Sequence, residues 1–244
     1  MSGHSKWKNI MHRKGKSDAQ RAKIFTKIGR EISVAVKEGG SDPASNGKLW
    51  DLIAKAKLNN VPNENIERVI KKSAGEGDKN EYESIFYEGY GTSGVAVIVE
   101  TLTENRNRTA GEIRHYFDKF SGNLGQIGSV GWMFAEKGVI VIDKTNINDD
   151  KLMEDCLEAG AIDFNSDDEI FEVFTDPSEL SAVRASLEKC HYTFLSSQVE
   201  RIPSNYIRLE KEEDMILMRR LLDMLEDNDD VQNVWHNWEN EDDI

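Results

Sequence analysis

The hydrophobic period changes at one place, and that change limits the folds open to the chain. Up to residue 74, apolar residues recur every three or four positions. Beyond the polar stretch SAGEGDKN (residues 73–80), short strand-like runs alternate with helical ones. A single continuous bundle and a single continuous sheet are both excluded. The stretch itself, polar and carrying glycine, reads as a linker between domains.

Before the linker the pattern is helical. Ile24, Phe25, Ile28, Ile32, Ala35 and Val36 share one face, with Lys23, Lys27, Arg30 and Lys37 opposite. Ser17 or Asp18 is the expected N-cap, and Gly39-Gly40 the stop. Asp42-Pro43 reads as the start of a second helix, with Leu49, Leu52, Ile53 and Ala56 as its apolar set. A third helix opens at Val61-Pro62 and carries Ile66, Val69 and Ile70. Residues 1–16, MSGHSKWKNIMHRKGK, show neither period and read as an extended arm.

After the linker, Ile85–Tyr90 and Val95–Leu102 read as a hairpin turning through Gly91–Gly94. A helix with Ala110, Ile113, Tyr116 and Phe117 follows, then a loop with Gly122, Gly125, Gly128 and Gly131, anchored by Trp132 and Phe134. Residues 139–201 read as strand–helix–strand–helix–strand. Tyr206–Leu209 reads as a short strand, Glu212–Leu225 as a helix with Met215, Ile216, Met218, Leu222 and Leu225 inward, and Val231–Trp238 as a last strand. The hairpin unit has too few elements alone, and residues 205–238 complete it. The expected class is therefore multidomain α+β. A three-helix domain (17–78) precedes two ferredoxin-like α+β units, with 137–204 inserted into a discontinuous middle domain, 79–136 plus 205–244.

Charge divides along the same boundary. The net charge of −14 would argue against a polyanionic partner. Yet residues 1–80 hold 17 Lys and Arg against 9 Asp and Glu, and the remaining 164 residues hold 14 against 36. Nine of the first 30 residues are basic and one, Asp18, is acidic. Such polarity points to a basic end aimed at a polyanion and an acidic body that confines contact to that end. No apolar run approaches the ~20 residues of a membrane helix. The opening lacks the apolar core of a secretory signal. Two cysteines, Cys156 and Cys190, fit a reducing cytoplasm and are expected to be unbridged.

Catalytic chemistry finds little support. His115, His191 and His236 sit in no recognisable motif. Cys190-His191, taken as strand neighbours, would point to opposite faces, a buried Cys beside a half-exposed His. Spacings for a metal site, a Walker loop or a nucleophile elbow are absent. No catalytic residue, metal, cofactor or small-molecule substrate is expected. The glycine loop at 122–131 offers backbone N–H groups to an anion or is simply a close-packed turn. Arg106 and Arg108 begin a helix and Arg114 follows, a second anion site or salt-bridge partners of the acidic body, because cations oppose the helix dipole there.

The arm is the strongest candidate. Lys6, Lys8, Arg13, Lys14 and Lys16 supply phosphate contacts, His4 and His12 add donors, and Trp7 offers a stacking face. Arg21, Lys23, Lys27 and Arg30 extend the basic surface onto the first helix.

GHSKWKNIMHRKGKSDAQRAKIFTKIGREI closely resembles the opening of the YebC family, with Met11 where lysine is common. VPNENIERVIKK, YEGYGTSGVAVIVE, ENRNRTAGEIRHYF and GNLGQIGSVGWMF resemble further family blocks in the same order. The resemblance implies a helical domain followed by two α+β domains, and no catalytic activity. It also implies nucleic-acid contact by the tail from Gly3 to Lys16. The family is commonly labelled as DNA-binding transcriptional regulators. Its mitochondrial members are translational activators, and some bacterial members are linked to ribosomes stalled on proline-rich sequence. The expected function is a cytoplasmic, non-enzymatic, DNA-binding regulator, with Lys48, Lys55 and Lys57 or Arg68, Lys71 and Lys72 near the duplex. The alternative is a ribosome-associated translation factor contacting rRNA or tRNA through the arm. No helix shows the Arg/Asn/Gln-rich face of base readout.

Overall fold

The computed structural model describes residues 18–75, 81–166 and 169–243, with side chains from Arg21 onward. The arm candidates His4, Lys6, Trp7, Lys8, His12, Arg13, Lys14 and Lys16 lie outside the described residues, as does Ser17.

Three helices open the described chain: α1 (Asp18–Gly39), α2 (Gly47–Leu58) and α3 (Asn63–Ala74). Ile28, Ile32, Ala35 and Val36 of α1 are buried with Leu49, Ala56, Val61 and Ile66, as the helical period predicts. The start of α2 corrects the sequence expectation. Asp42 makes only a local turn, accepting from the Ala44 N–H at 2.9 Å. The helix begins instead after Asn46, whose side-chain oxygen accepts from Leu49 N–H at 3.1 Å. The same amide donates to the Ala35 and Gly40 carbonyls, each at 2.8 Å. One buried Asn thus caps α2 and closes the end of α1.

The first sheet has the strand order β3-β1-β2-β8, all neighbours antiparallel. Its strands are β1 (Glu83–Tyr90), β2 (Ala96–Thr103), β3 (Asn123–Leu124) and β8 (Val231–His236). Helices α4 (Arg106–Lys119) and α7 (Glu212–Asp227) cover one face. Val95, Val97 and Val99 meet Ile113, Phe117, Met218, Leu221, Leu222 and Leu225 there. Ile216, expected inside, is 39% exposed, and Leu221 takes its place. Tyr206–Leu209 forms no ladder. Ile207 makes a single parallel bridge to Trp238. The side chain of Asn240 takes both backbone groups of Leu209, at 2.9 and 3.0 Å, which leaves nothing for a strand partner.

The second sheet is built from β4 (Phe134–Asp143), β5 (Asp163–Ser166), β6 (Ile170–Thr175) and β7 (Phe194–Pro203), in the order β5-β6-β4-β7. Helices α5 (Asp149–Ala159) and α6 (Leu180–Lys189) pack on it through Leu152, Cys156, Val183 and Leu187. The order is that of a strand–helix–strand–strand–helix–strand fold. Strand β5 is an addition to the elements that the sequence pattern predicts. The chain leaves the first sheet after β3 and returns to it only with α7 and β8.

Specific contacts join the three parts. The Asp51 carboxylate on α2 accepts from Ser181 Oγ and Arg184 Nη2 on α6, at 2.8 Å each, and Arg184 is buried. Within the helical part Lys55 pairs with Glu31 at 2.9 Å, and although burial alone would lower its pKa, Glu31 raises it. The Arg201 guanidinium of β7 lies 4.9 Å from the Phe86 ring centre and 5.7 Å from that of Trp235.

Both thiols are free: Cys156 is buried and Cys190 exposed. Cys190 and His191 lie on the turn after α6 rather than on a strand, with His191 at φ +66°, so the expectation of a buried Cys190 is corrected. Burial pushes the Cys156 thiol up to about 12. An alkylating reagent at neutral pH should therefore modify one thiol per chain rapidly and the second only in denaturant. Mass mapping that finds Cys156 modified at the same rate as Cys190 would contradict this packing.

Candidate nucleic-acid interface

The described part of the basic region is the polar face of α1, and it lies against the C-terminal end of α7. Lys23 Nζ pairs with the Asp227 carboxylate and donates to its carbonyl at 3.2 Å. Lys27 Nζ donates to the Glu226 carbonyl at 2.8 Å. Arg30 donates to the Asp229 carbonyl at 2.7 Å and to Asp230 Oδ1 at 2.9 Å, with Tyr82 under its guanidinium at 5.6 Å. The last turn of α7 holds no basic residue of its own and ends in Glu226 and Asp227. Those acids oppose the helix dipole, and α1 supplies the missing cations. Arg21 is exposed. Lys23, Lys27 and Arg30 are thus spent within the fold.

The DNA-facing alternatives divide in the same way. Lys48 pairs with Glu38 at 2.8 Å, and Lys55 is held by Glu31. Lys57, Arg68, Lys71 and Lys72 are exposed. Those on α3 form its open side.

At the second basic cluster, carboxylates compensate the helix start. Arg106 meets Glu83 at 3.1 Å, and Arg108 meets Asp230 at 2.5 Å. Arg114 is exposed on α4. Asp230 is buried and also accepts from Thr103 Oγ1 at 3.0 Å and Thr109 Oγ1 at 2.8 Å. Burial would raise its pKa, but bonds from Arg108, Thr109, Thr103 and Arg30 hold it below the usual carboxylate range. Arg30 comes from α1 and the other donors from β2 and α4, so Asp230 is where the helical part and the first sheet lock together.

The glycine loop does bind an anion, and the anion is its own. The Glu88 carboxylate accepts from the N–H groups of Gly128, Val130 and Gly131 at 2.9, 2.8 and 2.7 Å. Burial works against that charge, but the three bonds keep the carboxyl below its ordinary range. Gly128 has φ +89°, and a Cβ at Gly125 would stand 2.5 Å from Ser129 Oγ, which accounts for glycine at both positions. Phe134 is buried, as expected of an anchor, but Trp132 is 74% exposed and holds the loop only through its Nε1 bond to the Ser129 carbonyl.

His115 and His191 are exposed. His236 is tied to Glu241 at 3.3 Å, and its Nδ1 accepts from the Trp238 N–H. Among the described residues no three His, Cys, Asp or Glu side chains come together in a metal-binding group. Nor is any helix there long and apolar enough to cross a membrane.

A three-helix part packed on an α+β body of two four-stranded antiparallel sheets defines the class. Residues 5–76 match the family model described as the TACO1/YebC protein N-terminal domain, and residues 82–238 match the TACO1/YebC second and third domain. The chain belongs to the TACO1/YebC family. It is 60% identical over 242 residues to a protein of Caldicellulosiruptor saccharolyticus named "Probable transcriptional regulatory protein", covering 99% of this chain and 100% of that one. A protein of the same name from Acetivibrio thermocellus is 57% identical, covering 98% and 99%. The crystal structure of the conserved hypothetical protein Aq1575 from Aquifex aeolicus superposes with a TM-score of 0.83 at 42% identity, covering 92% of each chain.

Proposed function

We propose that this chain is a cytoplasmic, non-enzymatic regulator of gene expression that binds DNA through its N-terminal arm. The observation that carries the reading is the basic surplus of the N-terminal end, nine Lys or Arg against one acid in the first 30 residues. Lys23, Lys27 and Arg30 are bonded to the end of α7, and the sequence sets Lys6, Lys8, Arg13, Lys14 and Lys16 around Trp7. The exposed side of α3, with Arg68, Lys71 and Lys72, is a second phosphate-facing surface. The names of the relatives support transcription. A second reading, a ribosome-associated translation factor, is favoured by the arm itself, whose indole and glycines suit irregular RNA better than a groove.

Neutralising Lys6, Lys8, Arg13 and Lys14 together should lower the slope of log affinity against log salt by about 3 to 4 units if all four meet phosphate. Trp7→Ala should cost about 1–3 kcal/mol of binding and leave that slope nearly unchanged, because stacking releases no counterions. Titrations against duplex DNA and against ribosomes separate the two readings. An unchanged slope in the quadruple variant would remove the arm from the interface. Pull-down from lysate with and without ribonuclease, followed by sequencing, identifies the natural target.

A further inference from the structure

The glycine loop ends in an unusual surface. Ile127 is 80% exposed and Trp132 74% exposed, the two most exposed large apolar side chains among the described residues. They stand on a loop that is fixed rather than loose. Three of its N–H groups are bonded to Glu88, and Gly125 N–H donates to the Glu88 carbonyl at 2.8 Å. The indole itself is oriented, since Trp132 Nε1 donates to the Ser129 carbonyl at 3.2 Å. An indole held edge-on by its own loop, with its ring in water, is organised before anything binds, so little freedom is lost on binding.

Charge says what it suits. No charged residue stands between Lys119 and Glu136 in a chain with 45 acidic residues. The carboxylate that the loop itself binds, Glu88, is buried and surrounded by donors. This is a place on the acidic body where a phosphate backbone meets no exposed carboxylate of the loop. Two side chains are also far too few for a protein interface, which needs about 800 Å² from each partner. One indole is enough to stack one base.

Position strengthens the case. The loop lies alongside the Glu88–Tyr90 end of β1, through Gly125 to Glu88 and Tyr90 Oη to the Ser129 carbonyl. The α1–Asp230 junction lies at the other end, where β2 finishes at Thr103. Eight residues of strand separate the two, about 25 Å. A ligand that reaches from α1 to the loop must be a polymer, and the phosphate contacts it would make at the N-terminal end are those of the proposed function, since Lys23, Lys27 and Arg30 are already bonded at the junction.

We propose that Trp132, with Ile127 beside it, is a stacking platform for an unpaired base of a nucleic-acid strand whose phosphates are held by the basic N-terminal end. This rests on the nucleic-acid reading above and adds a second, uncharged contact to it. The chemistry is that of an unpaired base, whether in RNA or in opened DNA.

The full chain should be titrated with a fluorescent single-stranded RNA of about 20 nucleotides, longer than the ~16 that a single-strand site commonly covers. DNA of the same sequence and its duplex serve as further arms. Trp132→Ala should weaken strand binding by between about 5- and 150-fold, with the salt slope unchanged and duplex binding untouched. Trp132→Phe should restore most of the affinity, since a ring remains, and should abolish the part of the tryptophan quenching that RNA causes in the parent. Melting temperatures should match the parent, because the side chain is exposed. A larger loss on RNA than on DNA places the base in RNA, and equal losses assign a contact blind to the sugar. If Trp132→Ala binds every strand as the parent does, with undiminished quenching, while the arm variant loses its salt slope, the platform is overturned and the arm reading stands. Equal weakening on the duplex would also overturn it. If neither variant changes binding, both fall.

Discussion

Asp230→Ala should lower the unfolding free energy by about 3–5 kcal/mol, the cost of leaving a buried ion pair without one partner. The carboxylate serves Arg30, Arg108, Thr103 and Thr109 at once, and its own exposure is 4%. Removing it takes from Arg30 and Arg108 the carboxylate they share and leaves Thr103 and Thr109 only each other and the Asn105 carbonyl. Asp230→Asn should cost less, about 2–3 kcal/mol, because one oxygen remains to accept while the new N–H₂ opposes Arg donors. Urea titration gives both values. The loss should have a spatial signature, since Arg30 is one of the bonds holding α1 to the body: protease should cut the linker around 76–80 faster in the variant. A variant within 1 kcal/mol (about the surface range) of the parent would show that Asp230 is not the lock.

Glu88→Ala should cost about 3 kcal/mol and act on the loop first, because the N–H groups of Gly128, Val130 and Gly131 lose one acceptor between them. Glu88→Gln keeps the shape but turns an N–H₂ toward a donor, and should recover only part of the loss. Amide exchange at those three positions is the direct measurement, and unchanged protection in Glu88→Ala would contradict the cradle. Glu88 and Asp230 also set the acid behaviour. Both carboxyls are held below their ordinary range when folded. Each therefore adds stability above its unfolded value of about 4 and loses it as the pH falls through the depressed folded value. Acid unfolding of the parent should be steeper below about pH 4 than that of Glu88→Gln, in which one of these groups no longer titrates.

The parts of the fold that follow a strict period were legible. Ile28, Ile32, Ala35 and Val36 could share a face only on a helix, and they are buried together. Strand β5 was not, because Asp163–Ser166 reads DFNS, at the edge of its sheet, with one residue half-buried and three exposed. An edge strand facing water needs no apolar alternation. Tyr206–Leu209 misled for the opposite reason: its residues look strand-like, but pairing stops after one bridge at Ile207 because a side chain, Asn240, takes the backbone bonds of Leu209. The first-helix cations were legible as charges, but their engagement within the fold was not, since their acceptors lie about 200 residues away and are mostly carbonyls. Glu88 did leave a signal. It sits between Phe86 and Tyr90 on one face of a strand, and a carboxylate at such a position must find donors.

The return of the chain to its first sheet sets an order of assembly during synthesis. The helical part is complete by residue 75, and the second sheet has all its strands once residue 203 is made. The first sheet, begun at residue 83, waits for β8 at 231–236. Until then the edge of β2 stands open, with Val97 and Val99 lacking the cover of α7. The acceptors for Lys23, Lys27 and Arg30 also emerge late, at residues 226–230. A nascent chain therefore shows its basic helix face uncovered for almost its whole translation, and only the finished polypeptide closes it.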